Sequence, residues 1–154
     1  MIDLLLPRQI DNNYRGHRIA LWLFGLVVLA KLAIGLGSIF NGYEAARSAD
    51  GIPLDTFTPA GAQAVVTLFA LLGILHVTIC LLCIVVLVRY RTMIPLMFAL
   101  LLLEYLCRKL ILQLMPIATA GGSPGGIINL VLVALMIVGL LLSLWARERT
   151  HPQP

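Results

Sequence analysis

Four long apolar runs constrain this chain more than any other feature of its sequence. They cover residues 19–40, 62–88, 93–115 and 127–146. Each is at least as long as the roughly 20 residues that cross the hydrocarbon core of a bilayer as a helix. Only a helix satisfies all of its own backbone hydrogen bonds in lipid, and no ten-residue stretch alternates as a barrel strand does. The sequence therefore predicts an all-α integral membrane protein, a four-helix bundle forming a single transmembrane domain over residues 1–154.

The composition excludes a soluble domain. Of the 154 residues, 60% are hydrophobic and only 12% are charged, whereas a soluble domain carries about 25% charged residues. A bilayer must therefore supply much of the solvent for this surface. The chain also has no basic patch with interleaved aromatic residues, so the net charge of +4 gives no reason to expect a nucleic-acid partner.

The third run is the least apolar, because Glu104, Arg108 and Lys109 fall within it. Its twelve Leu, Ile and Phe residues favour insertion by roughly 6 kcal/mol, and a central charge opposes it by about 3 kcal/mol. Arg108 and Lys109 lie off-centre and are expected to reach toward the outer interface. We therefore predict that the third run also spans the membrane, with help from its neighbours.

The helix ends carry recognisable signals. Thr58-Pro59 and Ser123-Pro124 each resemble an N-cap followed by proline at the first helical position. Asn41-Gly42 is expected to end the first helix, and Gly121-Gly122 to break the chain before the fourth. The second helix is expected to start at Pro59 and to stand about a turn above the membrane. Residues 41–59 then form the longer outer loop.

The basic residues predict the orientation. With four crossings, seven of them fall on one side, and Arg47 lies alone on the other in a loop that also carries Glu44, Asp50 and Asp55. The seven are Arg8, Arg15, Arg18, Arg89, Arg91, Arg147 and Arg149. The positive-inside rule places them, and both termini, in the cytoplasm. The expected location is a bacterial inner (plasma) membrane.

Three polar residues lie near the middle of the first three runs. Lys31, His76 and Glu104 are each about 18 Å from the predicted cytoplasmic edge. Helical spacing puts Gly35 and Ser38 on the face of Lys31; it puts Gly73, Cys80 and Cys83 on that of His76. Small residues allow helices to approach closely, so these faces are expected to point inward. A similar stripe on the fourth run contains Asn129, Met136, Gly139 and Ser143.

Each polar residue has a structural and a functional interpretation. Intramembrane charges usually pair, so Lys31 and Glu104 are predicted to meet in the bundle. Arg108, one turn after Glu104 on the same helix, is a competing partner. His76 is either a hydrogen-bonded core residue or part of a proton relay. Lys31, His76, Glu104 and Arg108 thus form one predicted intramembrane polar cluster, a structural ion pair or a transport site.

The cysteines favour no cofactor. Cys80 and Cys83 form a CxxC with His76 on the same face, and Cys107 lies on the third run. A zinc site needs a fourth ligand and ordered outer partners, and the surrounding sequence is apolar. Buried cysteine as a small apolar residue is the simpler interpretation. We expect no metal, no other cofactor and no catalytic residues, and hence no enzymatic activity.

Two classes of function remain. The first is a non-enzymatic membrane protein that assembles with itself or serves as an accessory subunit of a larger membrane complex. The second is a small proton-linked transporter that uses Lys31, His76 and Glu104. The predicted partners are the lipid bilayer and either further copies of the chain or other membrane subunits.

Overall fold

The described residues form four long helices that alternate in direction. The computed structural model describes Leu5, Asp11, Asn12, Tyr14 and residues 16–117 and 124–145. The helices are α1 (Arg18–Phe40), α2 (Pro59–Arg89), α3 (Ile94–Leu114) and α4 (Pro124–Leu144). Every regular element in these ranges is helical, which confirms the predicted all-α class. The predicted helix ends lie within about three residues of the observed ones.

Three of the four helices are long and apolar enough to cross a membrane. They are α1, α2 and, from Gly125 to Leu144, α4, as judged over the described residues. α3 has 21 residues and so reaches about 30 Å, but it carries Glu104, Arg108 and Lys109. A crossing by α3, and with it a complete four-span bundle, stays a prediction.

The helices share one hydrophobic core near the end where α1 begins and α4 ends, which we call the termini end. The buried members are Phe24, Val27, Val28, Cys80, Cys83, Val86, Ile94, Met97, Phe98, Leu101 and Met136. Phe24 and Phe98 meet edge to face, with ring centroids 5.0 Å apart, an arrangement that aromatic rings prefer. Because all four helices contribute, this core fixes their relative positions.

Backbone hydrogen bonds close the termini end. The amide of His17 donates to the carbonyl of Leu142, so the start of α1 lies beside the end of α4. The Thr92 hydroxyl, in the turn between α2 and α3, donates to the carbonyl of Asp11 at 2.9 Å. The chain before α1 therefore bridges the α2–α3 turn and the end of α4.

The opposite end, which we call the loop end, is built around the excess length of α2. That helix begins at Pro59, and the Thr58 hydroxyl accepts a hydrogen bond from the Gly61 amide, as predicted. Its 31 residues span about 46 Å, some 16 Å more than the hydrocarbon core. The segment between α1 and α2 folds over this excess, and Ala46, Ile52 and Leu54 pack against Val65, Val66 and Phe69.

One further boundary prediction is confirmed, because α1 ends at Phe40 with Asn41 as its C-cap. Pro95 lies in the first turn of α3, where its missing N–H does little harm. The predictions on Ser123 and Gly121-Gly122 lie outside the described residues. The same holds for Arg8, Arg15, Arg147 and Arg149.

Candidate functional site

A close crossing of α1 and α2 positions the first two polar residues. A Cβ atom added to Gly73 would lie 2.7 Å from the carbonyl oxygen of Gly35, so only glycine permits this approach. α1 and α2 run in opposite directions. Lys31, four residues before Gly35, and His76, three after Gly73, therefore both lie one turn from the crossing toward the termini end.

α3 brings the third polar residue to the same level. Leu101 belongs to the buried core, and Glu104 follows it by one turn. The Lys31 ammonium donates to Oε2 of Glu104 across 2.7 Å, the predicted contact. The Lys31 side chain is 10% exposed and that of Glu104 31% exposed. A charge-assisted hydrogen bond of this length in a largely desolvated place ties α1 to α3 strongly.

His76 contacts the other carboxylate oxygen. Its Nε2 lies 3.8 Å from Glu104 Oε1, which is too long for a hydrogen bond. Its Nδ1 lies 3.1 Å from the carbonyl oxygen of Leu72. A carbonyl only accepts, so Nδ1 carries the proton in this arrangement and Nε2 of the neutral ring presents a lone pair to the carboxylate. Only the imidazolium form would turn an N–H toward Glu104.

Arg108, the fourth member of the predicted cluster, lies one turn beyond Glu104 on the same helix but makes no ion pair with it among the described residues. Within 4.0 Å, the Glu104 carboxylate contacts the Lys31 ammonium and the His76 ring. The guanidinium carbon of Arg108 lies 5.8 Å from the ring centroid of Tyr105, within cation–π range. Arg108 also lies near Asp50 at the loop end, where its charge opposes the rise in the pKa of that carboxyl caused by desolvation.

The cysteines do not form a ligand set. Cys80 and Cys83 are buried in the core, each about 1% exposed, whereas Cys107 is exposed. No group of three or more His, Cys, Asp or Glu residues among the described positions is arranged to hold a metal ion.

The inward stripe of α4 lies where the sequence predicts it. Met136, Gly139 and Ser143 are buried, and Asn129 is partly buried. A Cβ atom on Gly139 would collide with the ring of Phe98, so this glycine makes room for the aromatic side chain of α3. The Ser143 hydroxyl donates to the Leu140 carbonyl and is thereby satisfied within its own helix.

A second charged cluster, which was not predicted from the sequence, lies in the outer segment. Arg47 Nη2 lies 3.1 Å from Asp55 Oδ2, and the Tyr43 hydroxyl donates to Asp55 Oδ1 at 2.9 Å. That hydrogen bond is the largest contribution to a raised pKa for Tyr43. The charges were visible in residues 41–59, but their pairing depends on the fold of the loop. A short helix (Gly42–Glu44) and a π-helical turn (Ala45–Ala49) orient Arg47.

At this site the charge of the Glu104 carboxylate is balanced by Lys31, and the His76 imidazole lies beside it. One carboxylate oxygen is neutralised by an ammonium group, and the other faces a ring able to take a proton. The chain matches no protein-family model, no curated protein and no solved structure. Its function must therefore be argued from these residues and their surroundings.

Proposed function

We propose that this chain is a small, non-enzymatic, multi-pass protein of a bacterial inner membrane that acts as an oligomeric scaffold or as an accessory subunit of a membrane complex. One observation carries the proposal. Every residue of α3 from 106 to 114 is exposed, so the rest of the described chain leaves the half of α3 nearest the loop end largely uncovered.

This exposed half of α3 is too polar to face lipid alone. It carries Cys107, Arg108, Lys109 and Gln113, and a charged side chain on a membrane helix costs about 3 kcal/mol near the bilayer centre and less toward the interface. Gln113 adds an amide that makes no hydrogen bond within the described chain. If α3 crosses the membrane as predicted, a protein surface against this half of the helix would remove part of that cost.

The polar site favours a structural role as well. Lys31 and Glu104 offset each other's charge across a short contact, and removing either leaves the other buried without a counter-charge. A permanently paired acid suits a group that joins two helices. It suits poorly a group that must gain and lose a proton in each transport cycle.

The termini end has the features of a cytoplasmic interface. Trp22 and Trp145 are 82% and 74% exposed there, and tryptophan concentrates at membrane–water interfaces. Arg18, Arg89 and Arg91 lie at the same end. These residues support the proposed orientation with both termini inside. Labelling of single cysteines at Ser48 and Thr150 tests it: Ser48→Cys should react with an impermeant reagent on intact cells, and reaction at Thr150→Cys would contradict it.

A proton-linked carrier is the second candidate, and the position of His76 favours it. The imidazole is 20% exposed and the carboxylate beside it 31% exposed, so the pair is not sealed by the chain itself. In this role His76 and Glu104 would exchange a proton while Lys31 holds the acid in place.

Two measurements separate the candidates. The scaffold role predicts that the purified chain migrates as a stable assembly, alone or with co-purifying membrane proteins, and that Glu104→Gln disrupts this assembly or the fold. The carrier role predicts a substrate-dependent proton flux into reconstituted vesicles containing a pH-sensitive dye. A flux that vanishes in Glu104→Gln while the variant keeps its assembly state would show the scaffold proposal to be wrong.

A further inference from the structure

The exposed side of α3 carries a heptad repeat. Its members follow one another at alternating spacings of three and four residues. They are Leu96, Ala99, Leu103, Leu106, Leu110 and Gln113. The first two are partly buried and the other four are exposed. This spacing forms a continuous seam along one side of a helix and is typical of left-handed helix pairs.

The buried residues of α3, together with Glu104 and Arg108, lie on the opposite side of the helix. Met97, Phe98 and Leu101 are buried in the core, and Glu104 follows them on the same side, bound to Lys31. Arg108 lies one turn beyond Glu104, near Asp50. One side of α3 thus packs against the rest of its own chain, and the heptad seam on the other side is left uncovered. A partner could therefore bind to the seam without breaking any contact described above.

We propose that a second copy of this chain, in the same membrane orientation, covers the seam, so that α3 pairs with α3 about a two-fold axis. Gln113 supplies the argument for a second copy over another partner. It lies on the seam, where two-fold symmetry would place it opposite its own counterpart. An amide both donates and accepts, so two facing glutamine side chains complement each other.

Charge does not oppose this pairing. Arg108 points away from the seam, and Lys109 lies at its edge, so neither cation would meet its counterpart across the axis. A second copy supplies a polar group opposite Gln113 by symmetry, whereas an unrelated partner does so only if its own sequence provides one. The inference rests on the proposed function, because it names the interface through which the assembly forms.

Disulfide cross-linking in native membranes tests the interface. In a Cys107→Ser background, Leu106→Cys and Leu110→Cys place a thiol on the seam, whereas Ile111→Cys places one on the other side. Ile111 is a matched control, since it is 58% exposed against 57% and 55% for Leu106 and Leu110. We expect mild oxidation to give a cross-linked dimer with both seam variants and at least about ten-fold less with Ile111→Cys.

Gln113 variants provide a second measurement that needs no cysteine. We expect Gln113→Leu to lower the dimer association constant about three- to ten-fold in micelles or vesicles. Gln113→Asn, which keeps an amide, should recover part of the loss. An association constant unchanged by Gln113→Leu would contradict the role given to the amide.

The outcomes distinguish the inference from the proposed function. A stable assembly of the wild-type chain without seam-specific cross-linking would overturn the α3 pairing and leave the scaffold proposal standing. So would a complex in which a different protein protects the seam thiols. A wild-type chain that is a monomer in vesicles and co-purifies with no other protein would overturn both.

Discussion

Two ion pairs of similar geometry lie in very different surroundings in this molecule. Lys31 and Glu104 approach to 2.7 Å with side chains 10% and 31% exposed. Arg47 and Asp55 approach to 3.1 Å with side chains 51% and 61% exposed. An exposed pair typically contributes less than about 1 kcal/mol, whereas breaking a buried pair by removing one partner costs several times more. Burial, not contact distance, should therefore decide the importance of each pair.

The two pairs also differ in what they join. Lys31 and Glu104 are 73 residues apart and connect α1 to α3, which otherwise touch little. Arg47 and Asp55 lie eight positions apart in sequence, within one loop that is already held to α2 by its own apolar cluster. The first pair should influence the arrangement of helices, and the second only the local order of the loop.

The largest expected effect comes from breaking the buried pair on one side. Lys31→Met should lower the free energy of unfolding by about 3–5 kcal/mol, because Glu104 then keeps an unpaired charge. Glu104→Gln should act similarly, and the double variant should lose less than the sum of the two. Unfolding in detergent, followed by circular dichroism, measures all three, with Leu112→Met, at an exposed position off the seam, as a neutral control on α3. Strictly additive losses would mean that the two residues are not coupled.

A smaller loss is expected at His76. His76→Ala removes the bond to the Leu72 carbonyl and some packing, but it leaves no additional ionised group without a partner. The free energy of unfolding should fall by about 1–2 kcal/mol. The same unfolding assay applies, and His76→Asn serves as a control that retains a hydrogen-bonding side chain. A loss equal to that of Lys31→Met would show that the imidazole carries charge in the folded protein.

The exposed pair should respond weakly. Arg47→Ala is expected to cost at most about 1 kcal/mol, and less as salt is added, because exposed charges are screened. Measuring the unfolding free energy at low and at 0.5 M salt separates this electrostatic part from lost packing. A salt-independent loss comparable with that of Lys31→Met would contradict the comparison between the two pairs.

The smallest effect concerns Asp50 and depends on pH. Desolvation raises the pKa of its carboxyl above the ordinary 3.8, and Arg108 only partly opposes the rise. The folded state thus binds this proton more readily than the unfolded state, so stability falls as pH rises through this range. By surface area Asp50 is still exposed, so its desolvation is only partial, and Asp50→Asn should stabilise the protein slightly at pH 7, by about 0.5 kcal/mol or less. The gain should disappear below about pH 4, as paired unfolding curves at the two pH values would reveal.

The sequence predicted the helices well because length and hydropathy act locally. The bounds of α1 through α4 follow from apolar runs, and the start of α2 follows from the Thr58 cap. Part of the polar site, namely which residues belong to it, could also be predicted from the sequence. Small residues such as Gly35 and Gly73 marked the contact faces, and equal depth placed Lys31 and Glu104 at one level.

The seam on α3 could have been found in the sequence too, since its heptad spacing is visible there. The sequence did not predict which side of α3 packs against the rest of the chain. That depends on how α3 packs beside α4, with Phe98 seated at Gly139. Leucines at heptad spacing do not by themselves show whether that face of a helix is buried or exposed.

The amino-acid sequence by itself determined that this protein is helical, apolar and built for a membrane, because backbone hydrogen bonding and transfer free energy depend on short stretches of chain. Only the tertiary structure decided that Glu104 bonds Lys31 while Arg108 lies near Asp50, and that Asp55 joins Arg47 and Tyr43. A charge has several candidate partners within reach along the chain. Long-range packing selects among these partners. It brings Lys31 and Glu104, which are 73 residues apart in sequence, within hydrogen-bond distance.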